Sequence, residues 1–220
     1  MSEPLEIDVF WSFRSPWSYL ATKRLRQLQE QYHLRVNFRP VYPIAVRTPE
    51  FFHHVDPLWF SYFMKDVHRV AEFLELPFKW PQPDPVNQYV DENGLRQTDA
   101  NQPHIQRLTH LGILAEEMGK GIEFADEISS TIWGGTANWH EGDHLERATL
   151  KTGLNLVEMD ALLAKESDRL ESVIEKNQDA HAVAGHWGVP TVAYKDEAFF
   201  GQDRLDVLLW RLKKEGLIAR

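Results

Sequence analysis

The first forty residues hold the pattern that most restricts the fold, an apolar strand that runs directly into a helix and then into a second strand. LEIDVFWS at 5–12 has the composition of a buried strand, and apolar residues recur at helical spacing after Pro16. LRVNFRP at 34–40 alternates apolar and polar residues and ends at a proline, which predicts a second strand, parallel to the first through a right-handed crossover. The chain is therefore predicted to begin with a βαβ unit.

The end of the chain predicts two further strands and a helix. TVAY at 191–194 and AFF at 198–200 flank a turn, and four leucines between 205 and 212 share one helical face. Between the two ends the periodicity is mainly helical, with helices predicted around 59–74, 105–118, 122–132, 144–151 and 158–176. The order βαβ, insertion, ββα is the thioredoxin topology. We predict an α/β, thioredoxin-like fold with a large all-helical insertion: residues 1–43 and 181–220 form the thioredoxin-like domain, and 44–180 form the insertion.

Composition restricts the chemistry. The 220 residues include no cysteine, and the net charge is -9. The absence of cysteine excludes thiol redox catalysis by the protein itself, so any sulfur chemistry needs a thiol brought by a ligand. Acidic and basic residues are mixed without a basic stripe, which argues against a nucleic-acid partner. No apolar run approaches the ~18–20 residues of a membrane span, and MSEPLEID lacks the pattern of a signal peptide, so we expect a cytoplasmic protein with no membrane partner.

Three segments carry a resemblance to a known family: SPWSYLA at 15–21, MKDVHRVAEFLELP at 64–77 and GVPTVAYKDEAFFGQDRLDVL at 188–208. They resemble the DsbA-like thioredoxin-fold family of 2-hydroxychromene-2-carboxylate isomerases and kappa-class glutathione transferases, in order along nearly the whole chain. The resemblance implies a glutathione-dependent isomerase with an aromatic or conjugated small-molecule substrate, and a homodimer as a candidate assembly. Two alternatives stay open, a kappa-class-like glutathione S-transferase and a redox-inactive thioredoxin-fold module that binds peptides.

Ser15 is the predicted catalytic residue. It precedes Pro16 at the start of the first predicted helix, a pattern typical of an N-cap followed by proline at the first helical position. A hydroxyl at a helix start can also donate a hydrogen bond to an anion such as a ligand thiolate, because backbone N–H groups and the helix dipole converge there. The resemblance implies that Ser15 stabilises the sulfur of glutathione. The two roles are compatible.

Four residues near the end of the chain are predicted to bind glutathione. Val189 and Pro190 precede a strand, where proline is either a trans residue that begins the strand or a cis residue that exposes the preceding backbone as a pairing edge. The resemblance implies the cis form, with Val189 pairing with the cysteinyl backbone of glutathione. Gln202 and Asp203 are predicted at the start of the last helix, where Asp203 suits a cap. The resemblance implies that both hold the γ-glutamyl end.

One motif points to a different chemistry. HEGDH at 140–144 matches H-E-x-x-H, in which two histidines one helical turn apart bind zinc. Gly142 would lie inside the required helix, and Asp143 looks like the cap of the helix that follows. We therefore predict no metal site here.

The resemblance is weakest between the second strand and the helix at 59–74. Family members carry an asparagine and a lysine there that contact glutathione, and the approximate register places Glu50 and Trp59 near those positions. An acid in place of an amide, and an indole in place of an ammonium, are expected to weaken capture of glutathione's carboxylates.

Overall fold

The computed structural model describes residues 3–220 and is built around a four-stranded mixed sheet. The strands are β1 (Leu5–Trp11), β2 (Leu34–Pro40), β3 (Gln88–Val90), β4 (Arg96–Thr98), β5 (Thr191–Tyr194) and β6 (Glu197–Phe200). The helices are α1 (Pro16–Gln31), α2 (Ile44–Arg47), α3 (Pro57–Phe73), α4 (Pro103–Glu117), α5 (Gly121–Trp133), α6 (His144–Lys151), α7 (Leu156–Val183) and α8 (Leu205–Lys214). The main sheet has the order β2-β1-β5-β6, with β1 parallel to β2 and the other pairs antiparallel. The predicted α/β class and thioredoxin-like order are confirmed.

Strand β1 alternates its side chains between two layers. Trp11 lies in the apolar core, and its Nε1 donates to Thr22 Oγ1 of α1 at 2.9 Å. Phe10 points the other way and stacks on His181 of α7, with 4.8 Å between ring centroids. Successive strand residues point to opposite faces, so α1 and α7 cover opposite faces of the sheet.

The insertion is not all helical, and this detail of the prediction is wrong. Strands β3 and β4 form an antiparallel hairpin. Its turn is closed by the Asp91 carboxylate, which accepts from the backbone N–H groups of Asn93 and Leu95, while Gly94 has a φ of 77°. Strands of three residues are too short for an alternating apolar pattern to appear, which is why periodicity missed them.

The long helix α7 joins the insertion to the sheet. It was expected at 158–176 but spans Leu156–Val183, with a non-helical Glu166 inside it. The predicted domain boundary at 180/181 therefore falls within the last turn of this helix, and the division into two domains stays a prediction. Among residues 3–220, no helix combines the length and the apolar character needed to cross a bilayer.

Candidate active site

Ser15 occupies the N-cap of α1. Its backbone is extended, with φ of -100° and ψ of 117°, and its Oγ accepts a hydrogen bond from the Ser18 N–H at 3.2 Å. Pro16 takes the first helical position, where its missing N–H leaves no broken bond. The local sequence thus folds as a serine cap at the positive end of the helix dipole.

The Ser15 hydroxyl also reaches the far end of the chain. Its Oγ donates to the Val189 carbonyl at 3.2 Å. The Val189–Pro190 peptide bond is cis, the form that the family resemblance implies. The fold therefore brings together the predicted catalytic serine and the predicted backbone edge, and the hydroxyl proton lies between them.

The cis-proline loop, residues 186–190, is held in place by two hydrogen bonds to one of its carbonyl groups. His181 Nε2 and Thr191 Oγ1 donate to the Gly188 carbonyl at 3.0 and 2.6 Å. A carbonyl only accepts, so Nε2 of His181 carries the proton. Burial, together with the Arg47 charge, lowers the pKa of His181 to about 4, which keeps the imidazole neutral. Sequence reasoning missed His181; its only signal was a histidine near the end of a helix that leads into the loop.

Gln202 and Asp203 lie beside this loop but not in helix α8. They belong to a 3-10 turn that precedes α8, and the Gly201 N–H donates to the Pro190 carbonyl at 2.9 Å. The expected cap role of Asp203 is wrong, since α8 begins two residues later and its N-cap position is Arg204. The Asp203 carboxylate instead pairs with the Arg204 guanidinium at 2.9 Å and is 59% exposed. It remains accessible to a cationic group.

Arg14, next to Ser15, is paired with an acidic side chain. Its guanidinium makes a two-point ion pair with Asp84 at 3.1 and 2.9 Å and also donates to Gln88 Oε1 at 3.3 Å. Because the Asp84 carboxylate already balances its charge, Arg14 holds the segment that contains Asp84 and Gln88 next to the Ser15 turn.

Aromatic side chains extend from the Ser15 turn onto α3. The Trp17 ring meets Phe63 at 5.9 Å between centroids, and Phe63 stacks on Trp59 at 5.3 Å with nearly parallel planes. Trp59 is 44% exposed, whereas Glu50 is an exposed residue of a 3-10 turn at Pro49–His53. Trp17, Trp59 and Phe63, here called the aromatic wall, form a chain of ring contacts that begins two residues after Ser15.

The HEGDH segment does not have the geometry of a zinc motif. Helix α6 begins at His144, so the other residues of the motif precede it. His140 packs against His104, and His144 Nδ1 contacts Arg147. Within residues 3–220, no three histidine, aspartate or glutamate side chains gather in an arrangement that could hold a metal ion.

Comparison with known proteins identifies the family of the chain. The family model of the DSBA-like thioredoxin domain matches residues 6–213. A curated relative, glutathione S-transferase kappa 1 of Rattus norvegicus, is 22% identical over 220 residues, covering 95% of this chain and 91% of the relative.

Two solved structures extend the comparison. A 2-hydroxychromene-2-carboxylate isomerase superposes with a TM-score of 0.69 at 20% identity, covering 96% of this chain and 95% of its own. The cytosolic disulfide reductase DsbM from Pseudomonas aeruginosa, solved with GSH, gives a TM-score of 0.57 at 16% identity, covering 95% and 100%. The chain belongs to the DsbA-like thioredoxin-domain family.

Proposed function

We propose that the chain is a glutathione-dependent isomerase acting on conjugated or aromatic small molecules, with Ser15 stabilising the glutathione thiolate. The observation that carries the proposal is the 3.2 Å contact between Ser15 Oγ and the Val189 carbonyl. It puts a hydroxyl donor at a helix start and beside a peptide-pairing edge, in a chain without cysteine. The kappa-class transferase and the 2-hydroxychromene-2-carboxylate isomerase among the similar proteins support this function.

The backbone at Val189 fits a bound thiol tripeptide. Within residues 3–220 its N–H makes no hydrogen bond, while its carbonyl holds only the Ser15 hydroxyl. An extended ligand can pair with both groups, as in strand addition. The exposed Asp203 carboxylate suits the ammonium of a γ-glutamyl group. Glutathione at this edge would supply the thiolate nucleophile that adds to a conjugated carbon, permits ring opening and rotation, and is expelled unchanged.

The chain's own contribution is to hold the negative charge of the sulfur. Rotation about the Cβ–Oγ bond lets the Ser15 hydroxyl exchange the Val189 carbonyl for a ligand thiolate. A hydrogen bond to a charged acceptor is roughly twice as strong as one to a neutral acceptor, so this exchange favours the thiolate. The positive end of the α1 dipole acts in the same direction. Ser15 thus both caps the helix and stabilises the reacting group.

The aromatic wall is proposed to orient the substrate. Trp59 and Phe63 stack with an interplanar angle of 7°, and Trp17 connects them to the Ser15 turn. A planar conjugated molecule gains area and offset stacking on such a surface. Trp59 lies near the position where family members carry a lysine. The indole there therefore favours stacking with an aromatic substrate over an ion pair with a carboxylate.

The test combines binding and product analysis. Millimolar glutathione should raise the melting temperature, because a ligand that binds only the folded state stabilises it. Incubation with glutathione and 2-hydroxychromene-2-carboxylate should yield the isomerised product with glutathione recovered unchanged. A released glutathione adduct would identify a transferase instead. Indifference to glutathione, together with no turnover, would overturn the proposal in favour of a peptide-binding module.

A further inference from the structure

In the part of the chain that the structure describes, the Arg47 guanidinium has no acidic partner. Its Nε donates to the Tyr42 carbonyl at 2.7 Å and its Nη2 to the Trp187 carbonyl at 2.9 Å. Among residues 3–220 no carboxylate lies within ion-pair distance of this guanidinium. Burial lowers the pKa of Arg47, and no neighbouring acid raises it. The charge is therefore partly desolvated and left without an anion.

The chain's acidity makes this arrangement unusual. Its 33 acidic residues outnumber 24 basic ones, and partly buried arginines elsewhere are paired, as in Arg14 with Asp84, and Arg26 with Asp126. A desolvated cation is unfavourable unless an anion or sufficient hydrogen bonds compensate it. Two carbonyls use only two of the five guanidinium N–H groups. Three donors remain for a ligand.

These donors are tied to the loop that presents Val189. Arg47 bonds to Trp187, two residues before Val189, and the Trp187 ring packs against Phe51 at 4.9 Å. Nη1 makes no hydrogen bond to any residue of the described range. It is not a buried atom, so it is accessible to a ligand. An arginine edge of this kind binds a carboxylate through two parallel hydrogen bonds.

We propose that Arg47 binds the glycine carboxylate of glutathione, an inference that rests on the proposed function. The γ-glutamyl end is assigned to the turn at Gln202 and Asp203, which adjoins the Pro190 end of the loop through the Gly201 N–H. A ligand paired at Val189 then extends its other end towards Trp187 and Arg47. Arg47 thereby supplies the cation that is missing at Trp59, from a different part of the chain.

A purely structural role for Arg47 makes a different prediction. If the side chain only braced Tyr42 to Trp187, its removal would weaken every ligand of the Val189 edge by the same factor. Binding of the carboxylate makes the loss depend on that carboxylate. The comparison of an acid with its amide therefore separates the two roles.

The experiment measures dissociation constants by calorimetry for S-methylglutathione and for its glycine amide. Neither ligand carries a thiol, so the result is independent of Ser15 chemistry. The wild-type protein should bind the acid about 10- to 100-fold more tightly than the amide, the effect of losing a charged hydrogen-bonded contact. Arg47→Gln should bind both about equally, and Arg47→Lys should keep part of the preference. Arg96→Gln, at an exposed arginine with the same change in charge, should keep all of it.

The outcomes distinguish this inference from the proposed function. Equal affinity of the wild type for acid and amide, or a full preference in Arg47→Gln, would overturn the Arg47 assignment while leaving glutathione binding intact. Failure of the wild type to bind glutathione or S-methylglutathione would overturn both. The wild-type comparison needs no variant, so equal affinity for acid and amide overturns the assignment even where Arg47→Gln melts at a lower temperature.

Discussion

Replacing Ser15 by glycine removes the donor while keeping most of the cap. Glycine costs only a few tenths of a kcal/mol at an N-cap, whereas alanine costs about 0.5–2 kcal/mol. The Ser15 Oγ bond to the Val189 carbonyl is also lost, and a neutral hydrogen bond contributes about 0.5–1.5 kcal/mol. The free energy of unfolding of Ser15→Gly should therefore fall by only about 1–2 kcal/mol, which leaves the protein folded.

The same change should affect the bound thiol far more. A hydrogen bond to a charged group is worth about 1.5–3 kcal/mol. Its loss should raise the apparent pKa of bound glutathione by about one to two pH units and lower turnover by roughly ten- to a hundredfold, if the thiolate is the reacting form. Ser15→Thr keeps both the cap and the hydroxyl and should restore most of the rate.

Ultraviolet absorbance of the bound thiolate, titrated against pH, gives the pKa. Turnover of a 2-hydroxychromene-2-carboxylate gives the rate. Asn155→Gly is the matched control, because Asn155 caps α7 through its side chain and lies outside the site. It should lose stability by a comparable cap effect without any change in thiol pKa. Equal pKa values and equal rates in wild type and Ser15→Gly would refute the reasoning and leave Ser15 as a cap alone.

Three further predictions concern stability. The folded-state pKa of His181, about 4, lies below its unfolded value near 6.5, so the unfolded chain takes up the proton first and stability should decline as pH falls between these values. Urea denaturation at several pH values should show a shallower decline in His181→Gln. Burial raises the pKa of Glu116 to about 7. Between about pH 4.5 and 7 the folded chain keeps a proton that the unfolded chain has released, so the free energy of unfolding should fall as pH rises through this range. Glu116→Gln should therefore be more stable than wild type at pH 8, and an unchanged denaturation midpoint would contradict this. In Gly188→Ala the new methyl group would overlap the Phe200 ring, which should lower the free energy of unfolding by about 1–3 kcal/mol; an unchanged melting temperature would show that the ring moves freely.

The sequence predicts the parts of the fold that depend on local patterns. Strand β2 begins and ends as expected, because alternation and a terminal proline define both ends. The Ser15 cap is equally local, since the serine, the following proline and the bonded Ser18 N–H lie within four residues. The resemblance to the family added Val189, whose position beside Ser15 no local pattern indicates.

The missed features depend on side-chain contacts that no periodic pattern encodes or on small shifts in where a helix begins. His181 and Arg47 act on the carbonyls of residues 188 and 187, and neither pairing can be read from spacing along the chain. The prediction that Asp203 caps α8 is wrong because a single 3-10 turn moves the start of α8 to Leu205. Helix ends cannot be located from sequence to within one or two residues.

The bond between Ser15 and Val189 joins positions 174 residues apart. During synthesis at about 5–20 residues per second, roughly 10 to 35 s separate the appearance of the two residues, so the nascent chain has no complete site until almost the whole sequence has been made. A ligand that needs both positions binds only finished molecules. Protection from proteolysis by such a ligand should therefore be all or none, because a fragment that ends within α7 keeps the serine but lacks the edge it contacts.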